Sequence, residues 1–486
     1  MGTFTRHSAG LLYLTFALSA LMSWGQTPTA QITGRITDKS RSVIPGARVT
    51  ATNIETLVRT ETTSNDVGYY VIPLLPTGEY GIEVQREGFR SAMQDRILLT
   101  VDRIARIDIE LEVGAVSERI EVAAVAPMLE RDTSTVGTLV DSKRVEELPL
   151  QGRNAYALVE LIPGARVPVS WQDLPMDMNN TQFVMINGAR GSQNEFLLDG
   201  IPNTNARTGG PGVFPNPDSV QEFRVETNTY SAEYGRAAGG VFNVVTRSGT
   251  NRFHGSAWDF LRNSKLNANN FFSNRAGQAK PPLTFNQFGL SAGGPIRKNK
   301  TFFFTSWESA RTREGVLWVG HVPTAAERAG NFSGVRNAAG QLVTVYDPNT
   351  IREDPARAGQ RIRDPFPGNT MPRDRLNKIS LGLQDFLPVA NTSGANYTYV
   401  DNYVSANPIK TDKDTFMVKI DNHFSDKYRI SGSLHLDHSP WTRANAYGNE
   451  GTPTYGPQLF QRRGVVMDQV YVLNPTTILN LRYGLS

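Results

Sequence analysis

Two groups of residues in this 486-residue chain have types that catalysis or metal binding could use. The first, Gly289-Leu290-Ser291-Ala292-Gly293, matches the G-x-S-x-G pattern, in which a serine nucleophile sits on a sharp turn between a strand and a helix. Here the motif lies within alternating apolar and polar residues, and Gly294-Pro295, a poor start for a helix, follows at once. The pattern therefore favours a plain strand, and we expect no hydrolase.

The second group is His435, Asp437 and His438, whose types suit a metal ion. On a strand, however, the two histidines are three positions apart and point to opposite faces. The chain has no cysteine, which excludes disulfides, thiolate zinc sites and cysteine nucleophiles. We therefore expect no enzyme, no cofactor and no metal site.

Composition narrows the remaining classes of function and fold. Lys and Arg number 50 against 46 Asp and Glu, so the net charge of +4 gives no reason to expect nucleic-acid binding. A hydrophobic content of 39% with 43 Gly and 28 Pro is typical of a turn-rich β protein. The length predicts about three domains.

The last 60 residues alternate apolar and polar side chains with period two. Tyr428, Ile430 and Leu434 would face one side of a strand and the polar residues between them the other, and the run from Leu479 to Leu485 repeats the pattern. Each run is about 10 residues long, which is what a tilted strand needs to cross a bilayer. Such alternation indicates an outer-membrane β-barrel.

Seven such strands can be placed, and the joints between them alternate between short and long. Barrels put short turns in the periplasm and long loops outside, so the first strand would run outward. Trp258, Phe260, Phe302, Phe303, Phe304 and Trp307 are candidates for the aromatic girdle, or for ordinary strand packing. The predicted strands are 252–262, 284–295, 301–309, 412–424, 427–438, 463–473 and 477–486.

Seven strands cannot close a bacterial barrel, because such barrels hold an even number of strands and an open edge in lipid leaves backbone groups unpaired. We therefore expect residues 250–486 to form the first strands of an incomplete transmembrane β-barrel, in a truncated chain.

The N-terminus resembles a secretory signal. Arg6 and His7 precede the apolar run Leu11–Met22, and we expect cleavage near Gly25, giving a signal peptide of residues 1–25. The alternative is a membrane anchor, for which the run is short.

Residues 30–113 read as a small β-sandwich, with short alternating strands separated by turn residues. Gly34-Arg35-Ile36-Thr37-Asp38, Asp66-Val67-Gly68-Tyr69-Tyr70 and Leu75-Pro76-Thr77-Gly78-Glu79-Tyr80 resemble the carboxypeptidase regulatory-like (transthyretin-like) domain. That domain has no catalytic residues despite its name.

Between residues 117 and 249 lies a series of short motifs, among them Leu148–Asn154, Ile186–Arg190, Leu197–Pro202 and Asn243–Asn251. In this order they resemble the plug domain of Oar-like TonB-dependent receptors. A short helix over 155–162 is predicted to end at Pro163-Gly164. Together with the flanking segments, the resemblance covers nearly the whole chain. It implies a mostly β protein made of a small sandwich, a plug and barrel strands.

The resemblance also implies a Ton box, the peptide by which a periplasmic TonB-like protein pulls on the receptor. Its mechanism would be strand addition, which a proline would break. Alternatively, residues 118–124 are the last strand of the sandwich or a linker that follows it, and the coupling peptide lies in Gln26–Ala30. The candidate residues are Glu118, Arg119, Ile120, Glu121, Val122, Ala123 and Ala124.

A plug must fill a water-lined barrel without adhering to it permanently, so its charged residues are expected to pair with the inner wall or to remain solvated. The candidates for plug–barrel contacts are Arg190, Glu195, Asp199, Glu222, Arg224, Glu233 and Arg236.

The resemblance implies an outer-membrane receptor that imports a ligand actively, contacts outer-membrane lipid and has a periplasmic N-terminal domain. Ligand capture would fall on the long loops, above all 310–411, a length that is usually functional or disordered. The ligand class, whether siderophore, oligosaccharide (carbohydrate binding) or peptide, stays open. The alternative function is a surface-exposed structural or adhesive β protein without transport.

Overall fold

The computed structural model describes residues 29–114, 119–121, 134–148, 150–166, 184–206, 209–231, 234–235, 237–275, 277, 280–394, 401–452, 456–474 and 477–485. Of the described residues, 51% are in strands and 12% in helices, so this part of the chain is mostly β, as the alternating sequence predicts. The predicted signal peptide lies outside the described residues. Within those ranges, no helix is long and apolar enough to cross a membrane.

The first unit is a two-layered structure that we call the sandwich. One sheet has the order β4-β1-β7, with β8 also pairing with β1, and the other has the order β3-β2-β5-β6. Apolar residues alternate along the strands and meet between the sheets, where Ile32, Val49, Ile82 and Leu99 are fully buried. The strands are β1 Ala30–Asp38, β2 Arg48–Asn53, β3 Arg59–Thr63, β4 Tyr69–Leu75, β5 Gly78–Gln85, β6 Ser91–Leu99, β7 Ile104–Arg106 and β8 Ile109–Leu111.

One short strand, β9 Arg119–Glu121, follows the sandwich and adds to its second sheet. It runs parallel to β6, with the register Ser91↔Arg119, Ala92↔Ile120 and Met93↔Glu121. It is part of the segment that resembles a Ton box.

The second unit, which we call the central unit, is a mixed sheet of order β10-β15-β16-β13-β14 covered by short helices. Its helix Ser142–Glu147 is capped at the N-terminus by Asp141, whose side chain accepts a hydrogen bond from the Arg144 N–H. A 3₁₀ helix over Ala155–Leu161 stands where the sequence predicts a short helix. Every residue of β13 and β16 is buried, which suits the middle of a covered sheet. The strands are β10 Val136–Asp141, β11 Ala165–Arg166, β12 Met185–Ile186, β13 Glu195–Leu198, β14 Ile201–Pro202, β15 Val220–Asn228 and β16 Val241–Thr246, and the remaining 3₁₀ helices are Gln151–Arg153, Gly191–Gln193 and Pro217–Ser219.

The third unit is a seven-stranded antiparallel sheet, which we call the wall. Its strands follow one another as β17-β18-β19-β24-β25-β26-β27, and the sheet does not close on itself within the described residues. All seven predicted strands are present, and several are longer than predicted. The strands of this region are β17 His254–Asn263, β18 Leu283–Arg297, β19 Thr301–Gly315, β20 Trp318–Gly320, β21 Arg352–Glu353, β22 Arg361–Ile362, β23 Tyr403–Ser405, β24 Pro408–Ser425, β25 Tyr428–Thr442, β26 Pro457–Asn474 and β27 Thr477–Leu485.

The long connection between β19 and β24 is folded over most of its length. The Arg328 guanidinium donates to the carbonyls of Gln384, Leu387 and Pro388 and so ties two distant parts of the loop together. A second tie is the ion pair between Arg375 and Asp347, at 2.6 Å. Short helices in the long connections cover Phe271–Arg275, Ala325–Arg328, Pro348–Thr350, Pro367–Asn369, Arg373–Arg375, Lys378–Leu383 and Gln384–Phe386.

Candidate functional site

The two faces of the wall differ in chemistry. On β25, Ser433, His435 and Asp437 are buried on one face, while Leu436 is exposed on the other. The same parity continues along the neighbouring strands, so one face is an exposed apolar band and the other a polar surface. The exposed apolar side chains of the band include Leu290, Phe416, Ile420, Leu436, Val465, Met467, Tyr471, Leu473, Leu479, Leu481, Tyr483 and Leu485.

The central unit contacts the polar face of the wall, and one of these contacts is a buried ion pair. The Lys419 Nζ of β24 lies 3.4 Å from Asp199 Oδ1, and it also donates to the carbonyl and hydroxyl oxygens of Thr246 at 3.1 and 3.2 Å. Asp199 in turn accepts from the Thr246 N–H at 2.9 Å and from its hydroxyl at 2.6 Å. Burial raises the pKa of Asp199, but Lys419, His435 and Thr246 outweigh that effect and hold it below its usual value.

A second contact is centred on Arg153, in a short 3₁₀ helix of the central unit. Its Nε lies 2.8 Å from Glu308 Oε2 of β19, and its guanidinium also pairs with Asp218 of the central unit. The guanidinium stacks over the rings of Trp258 and Phe260, both on β17, with its Cζ 4.8 and 5.0 Å from the ring centroids. Glu308 also accepts from the Trp258 indole N–H at 3.1 Å, which holds the carboxylate in place.

A third contact places an aromatic side chain of the central unit between two cations of the wall. Lys413 Nζ lies 5.7 Å and Arg462 Cζ 5.3 Å from the centroid of the Phe214 ring. Both cations also approach the buried carboxylate of Asp437, at 3.6 and 3.4 Å. The wall thus neutralises its own charges while it presents them to the ring.

Glycines in the wall let the central unit approach closely. A Cβ at Gly484 of β27 would lie 2.4 Å from Ile201 Cγ2, which is far inside van der Waals contact. At Gly464 of β26 a Cβ would lie 3.3 Å from Val213 Cγ2. The lack of a side chain at these two glycines therefore lets apolar side chains of the central unit pack directly against the wall backbone.

The sandwich contacts the central unit through the loop that follows β6. The Val101 N–H donates to Glu222 Oε1 at 2.5 Å, and the Asn243 amide donates to Asp102 Oδ2 at 2.7 Å. Burial raises the pKa of Glu222 to about 7, against the lowering effect of the Val101 hydrogen bond, and Asp102 and Asp141 raise it further.

The sandwich also lies at the end of the wall that carries the short turns. Asn251 donates from its backbone to the Glu55 carbonyl at 3.1 Å and from its side chain to the Thr56 carbonyl at 2.7 Å. The same side chain donates to Asn299 in the turn between β18 and β19, at 2.7 Å.

The residues predicted to form plug–barrel contacts lie in different parts of the structure. Asp199 meets the wall, Glu222 meets the sandwich instead, and Arg224 lies 3.5 Å from Glu226 inside the central unit. Arg190 is exposed and Glu195 is buried in β13. Glu233 and Arg236 lie outside the described residues, as do Glu118, Val122, Ala123 and Ala124 of the Ton box candidate.

The sequence did not reveal Arg153, Phe214 or the wall residues that contact them. Charge at polar positions of alternating strands was a usable signal for Lys419, Lys413 and Asp437, but nothing in the sequence pairs them with the central unit. The girdle prediction is wrong for Phe302 and Phe304, which are almost fully buried on the inner face. Trp258 and Phe260 also lie on the inner side, with Arg153.

The predicted strand context of the two catalytic-looking groups is present. Ser291 lies within β18, where its hydroxyl is 2.8 Å from that of Ser256. His435 faces inward and hydrogen-bonds Ser433 at 3.2 Å, while His438 is exposed on the other face. Among the described residues, no group of three or more His, Asp or Glu side chains is placed to hold a metal ion.

Comparisons with known proteins agree with this architecture. Three family models match in succession: the carboxypeptidase regulatory-like domain over 31–112, the TonB-dependent receptor plug domain over 130–241 and an outer membrane β-barrel domain over 245–486. The chain belongs to the TonB-dependent outer-membrane receptors. The chain is also 29% identical, over 320 residues, to the TonB-dependent transporter Oar of Myxococcus xanthus, a match that covers 63% of this chain and 28% of that protein.

Solved structures of the same class are similar to this chain at low identity. The outer membrane transporter YddB from Escherichia coli is 15% identical with a TM-score of 0.42, over 72% of this chain and 38% of that one. The ferric enterobactin receptor PfeA from Pseudomonas aeruginosa is 12% identical with a TM-score of 0.37, over 69% and 38%. The chain therefore spans less than two fifths of the length of these relatives.

Proposed function

We propose that this chain is part of a receptor that imports a ligand actively across the outer membrane. The wall (within 250–486) would cross the membrane, the central unit (within 117–249) would close the pore as the plug, and the sandwich (within 30–113) would lie in the periplasm. The observation that carries the proposal is the pairing of faces: the apolar face of the wall is exposed, and its polar face is occupied by the central unit.

The contacts at that polar face suit a plug that must move. Asp199–Lys419, Arg153–Glu308 and the Phe214 site are separate side-chain contacts, and among the described strands none of the central unit pairs with a strand of the wall. Side-chain contacts can break one at a time and form again, whereas a continuous strand ladder would have to break as a whole. The arrangement supports gated transport.

The orientation follows from the loops. Glu55 and Thr56 of the sandwich accept hydrogen bonds from Asn251, whose side chain also donates to Asn299 in a short turn of the wall, and barrels put short turns in the periplasm. A periplasmic sandwich, delivered by the signal at 1–25, places the folded loop between β19 and β24 outside the cell. Ligand capture is then a property of that loop and of the other long connections.

Coupling to an energy source would use the segment Glu118–Ala124, which a TonB-like protein of the periplasm would engage by strand addition. To test this, a photo-crosslinking amino acid replaces Ala123 in the receptor expressed from its complete gene. We expect an ultraviolet-dependent adduct with a TonB-like protein, identified by mass spectrometry.

The matched control adds Ile120→Pro, which removes a ladder N–H and fixes the backbone, at a cost of about 1 kcal/mol or more. The adduct should fall sharply at equal surface abundance. If the receptor with the crosslinker at Ala123 but without Ile120→Pro captures no TonB-like protein, coupling through 118–124 is refuted. The coupling peptide would then lie elsewhere, such as Gln26–Ala30, or the receptor would act as an adhesive surface protein.

A further inference from the structure

β9 is formed by three residues of the proposed coupling segment. Residues Arg119–Glu121 pair in parallel with Ser91–Met93, at the edge of the sandwich sheet. The part of the chain that a periplasmic protein would engage as a strand is therefore already engaged as a strand, by this chain's own sandwich.

The approach of the chain to this edge is fixed on the sandwich side. The Arg90 N–H donates to the Glu112 carbonyl at 2.8 Å, and the Gly114 N–H donates to the Gly88 carbonyl at 3.1 Å. The Glu112 carboxylate is held by Lys39 at 2.7 Å and lies 3.5 Å from Arg90. Residue 114 is thus anchored beside the edge, and only four residues separate it from β9.

The acceptor edge is short, and its length matches that of β9. The register between β5 and β6 shifts between Tyr80 and Ile82, and Arg96 of β6 has a φ of 61°, so the strand is irregular beyond Gln94. Asp95 and Arg96 are both exposed there. Bulges and charged residues are the usual means of preventing further pairing at a sheet edge. Three residues of β6, Ser91 to Met93, are therefore left to receive a strand.

We propose that the β6 edge of the sandwich is a docking site for the coupling segment, and that a TonB-like partner must displace the segment from β6 before it can pair with it. This inference rests on the proposed function. A three-residue pairing is suited to docking that a partner can displace, because each ladder hydrogen bond changes the paired population by only about two- to tenfold. A TonB-like partner that pairs with more residues of the coupling segment would bind it more tightly than β6 does and so displace it.

The test is a reversible covalent lock, which the chain permits because it has no native cysteine. Met93→Cys and Glu121→Cys are combined in the complete receptor that carries the photo-crosslinker at Ala123. As register partners on neighbouring strands, their backbones lie about 4.8 Å apart, within the roughly 4.4–6.8 Å that a disulfide spans between Cα atoms.

We expect the disulfide to form in the periplasm and to reduce the adduct with the TonB-like protein at least about tenfold, the upper end of the effect of one ladder bond. Reductant should restore the adduct in the same sample, which shows that the protein is folded. The matched control is Leu98→Cys with Glu121→Cys, because Leu98 is exposed on the same strand but five residues, or about 16 Å, away from Met93.

Two outcomes would overturn the inference. If the Met93/Glu121 pair stays reduced and forms a disulfide no faster than the control, the segment does not dock on β6. If the disulfide forms but the adduct is unchanged, displacement is not required. An absent adduct in the reduced receptor would instead contradict the proposed function, so the two failures are distinguishable.

Discussion

The buried ion pair between Asp199 and Lys419 is the contact whose loss should loosen the plug most. Lys419→Met leaves the Asp199 carboxylate buried with its hydrogen bonds from Thr246, at 2.9 and 2.6 Å, and a longer one from Ser433, at 3.5 Å. Removing one partner of a buried pair costs about 3–5 kcal/mol, which is about two to three and a half orders of magnitude in the population with the plug displaced. Because Thr246 still satisfies the carboxylate, we expect the lower end of that range.

The measurement is the fraction of open channels, by KCl conductance of purified receptor in planar bilayers, with vancomycin sensitivity of whole cells as the second readout. Asp199→Asn alone should also increase leakage, since it leaves Lys419 buried beside an uncharged amide. The double variant should leak less than the sum of the two predicts, by an interaction free energy of about 1–3 kcal/mol.

The matched control is the loop pair Arg352–Asp364, which is shorter than the Asp199–Lys419 pair, at 2.7 against 3.4 Å, but about half exposed. Exposed pairs contribute about 1 kcal/mol or less, so Arg352→Met should leave the conductance unchanged. The reasoning is refuted if Lys419→Met leaks no more than this control, or if the effects of Lys419→Met and Asp199→Asn simply add.

Three further predictions concern the other interfaces. Burial raises the pKa of Glu222 from 4.5 to about 7, so the folded state binds this proton more tightly than the unfolded state. The contribution of Glu222 to stability should therefore be fully present below pH 4.5 and be lost as the pH rises to about 7, by at most about 1.4 kcal/mol per pH unit. Calorimetry should show that the difference in stability between the unsubstituted protein and Glu222→Gln changes with pH over this range. Gly484→Val should raise channel leakage because the new side chain would clash with Ile201. A second substitution, Ile201→Ala, should reverse the leakage. Unchanged leakage in Gly484→Val would mean that Gly484 and Ile201 are not closely packed. Single cysteines at Ala339 and Lys298 should differ on intact cells, with an impermeant thiol reagent labelling only the first; the opposite result would invert the orientation.

The sequence predicted the wall well because its two faces meet different solvents. Period-two alternation located all seven strands, but it stopped at residue 309 on β19, whereas the strand continues to Gly315. Beyond 309 the residues Arg311 and Arg313 are charged, and alternation in hydrophobicity disappears. Cross-strand ion pairs to Asp414 and Asp412, at 2.9 and 2.7 Å, hold this extension in place of apolar packing.

The interfaces were less predictable because they join residues far apart in the chain. Arg153 meets Glu308, and Lys419 meets Asp199, across separations that no local pattern records. Family resemblance located the units but not these pairs, and charge alone did not separate Asp199, which meets the wall, from Glu222, which meets the sandwich. The Ton box candidate was readable as a β-prone segment, while its pairing with β6 required knowledge of which sheet edge was open.

The topology also bears on the order in which a pull would act. Force applied at 119–121 first meets the three-residue pairing with β6, and the next strand among the described residues is β10. Among the described strands β10 pairs with one neighbour, from Val136↔Asn228 to Asp141↔Glu222, whereas β16 pairs with neighbours on both sides. Peeling β10 away therefore breaks fewer bonds than extracting the sheet whole. We expect the ion pairs at the wall to determine how tightly the resting receptor is closed, and the β10 ladder to determine the first resistance to energised opening.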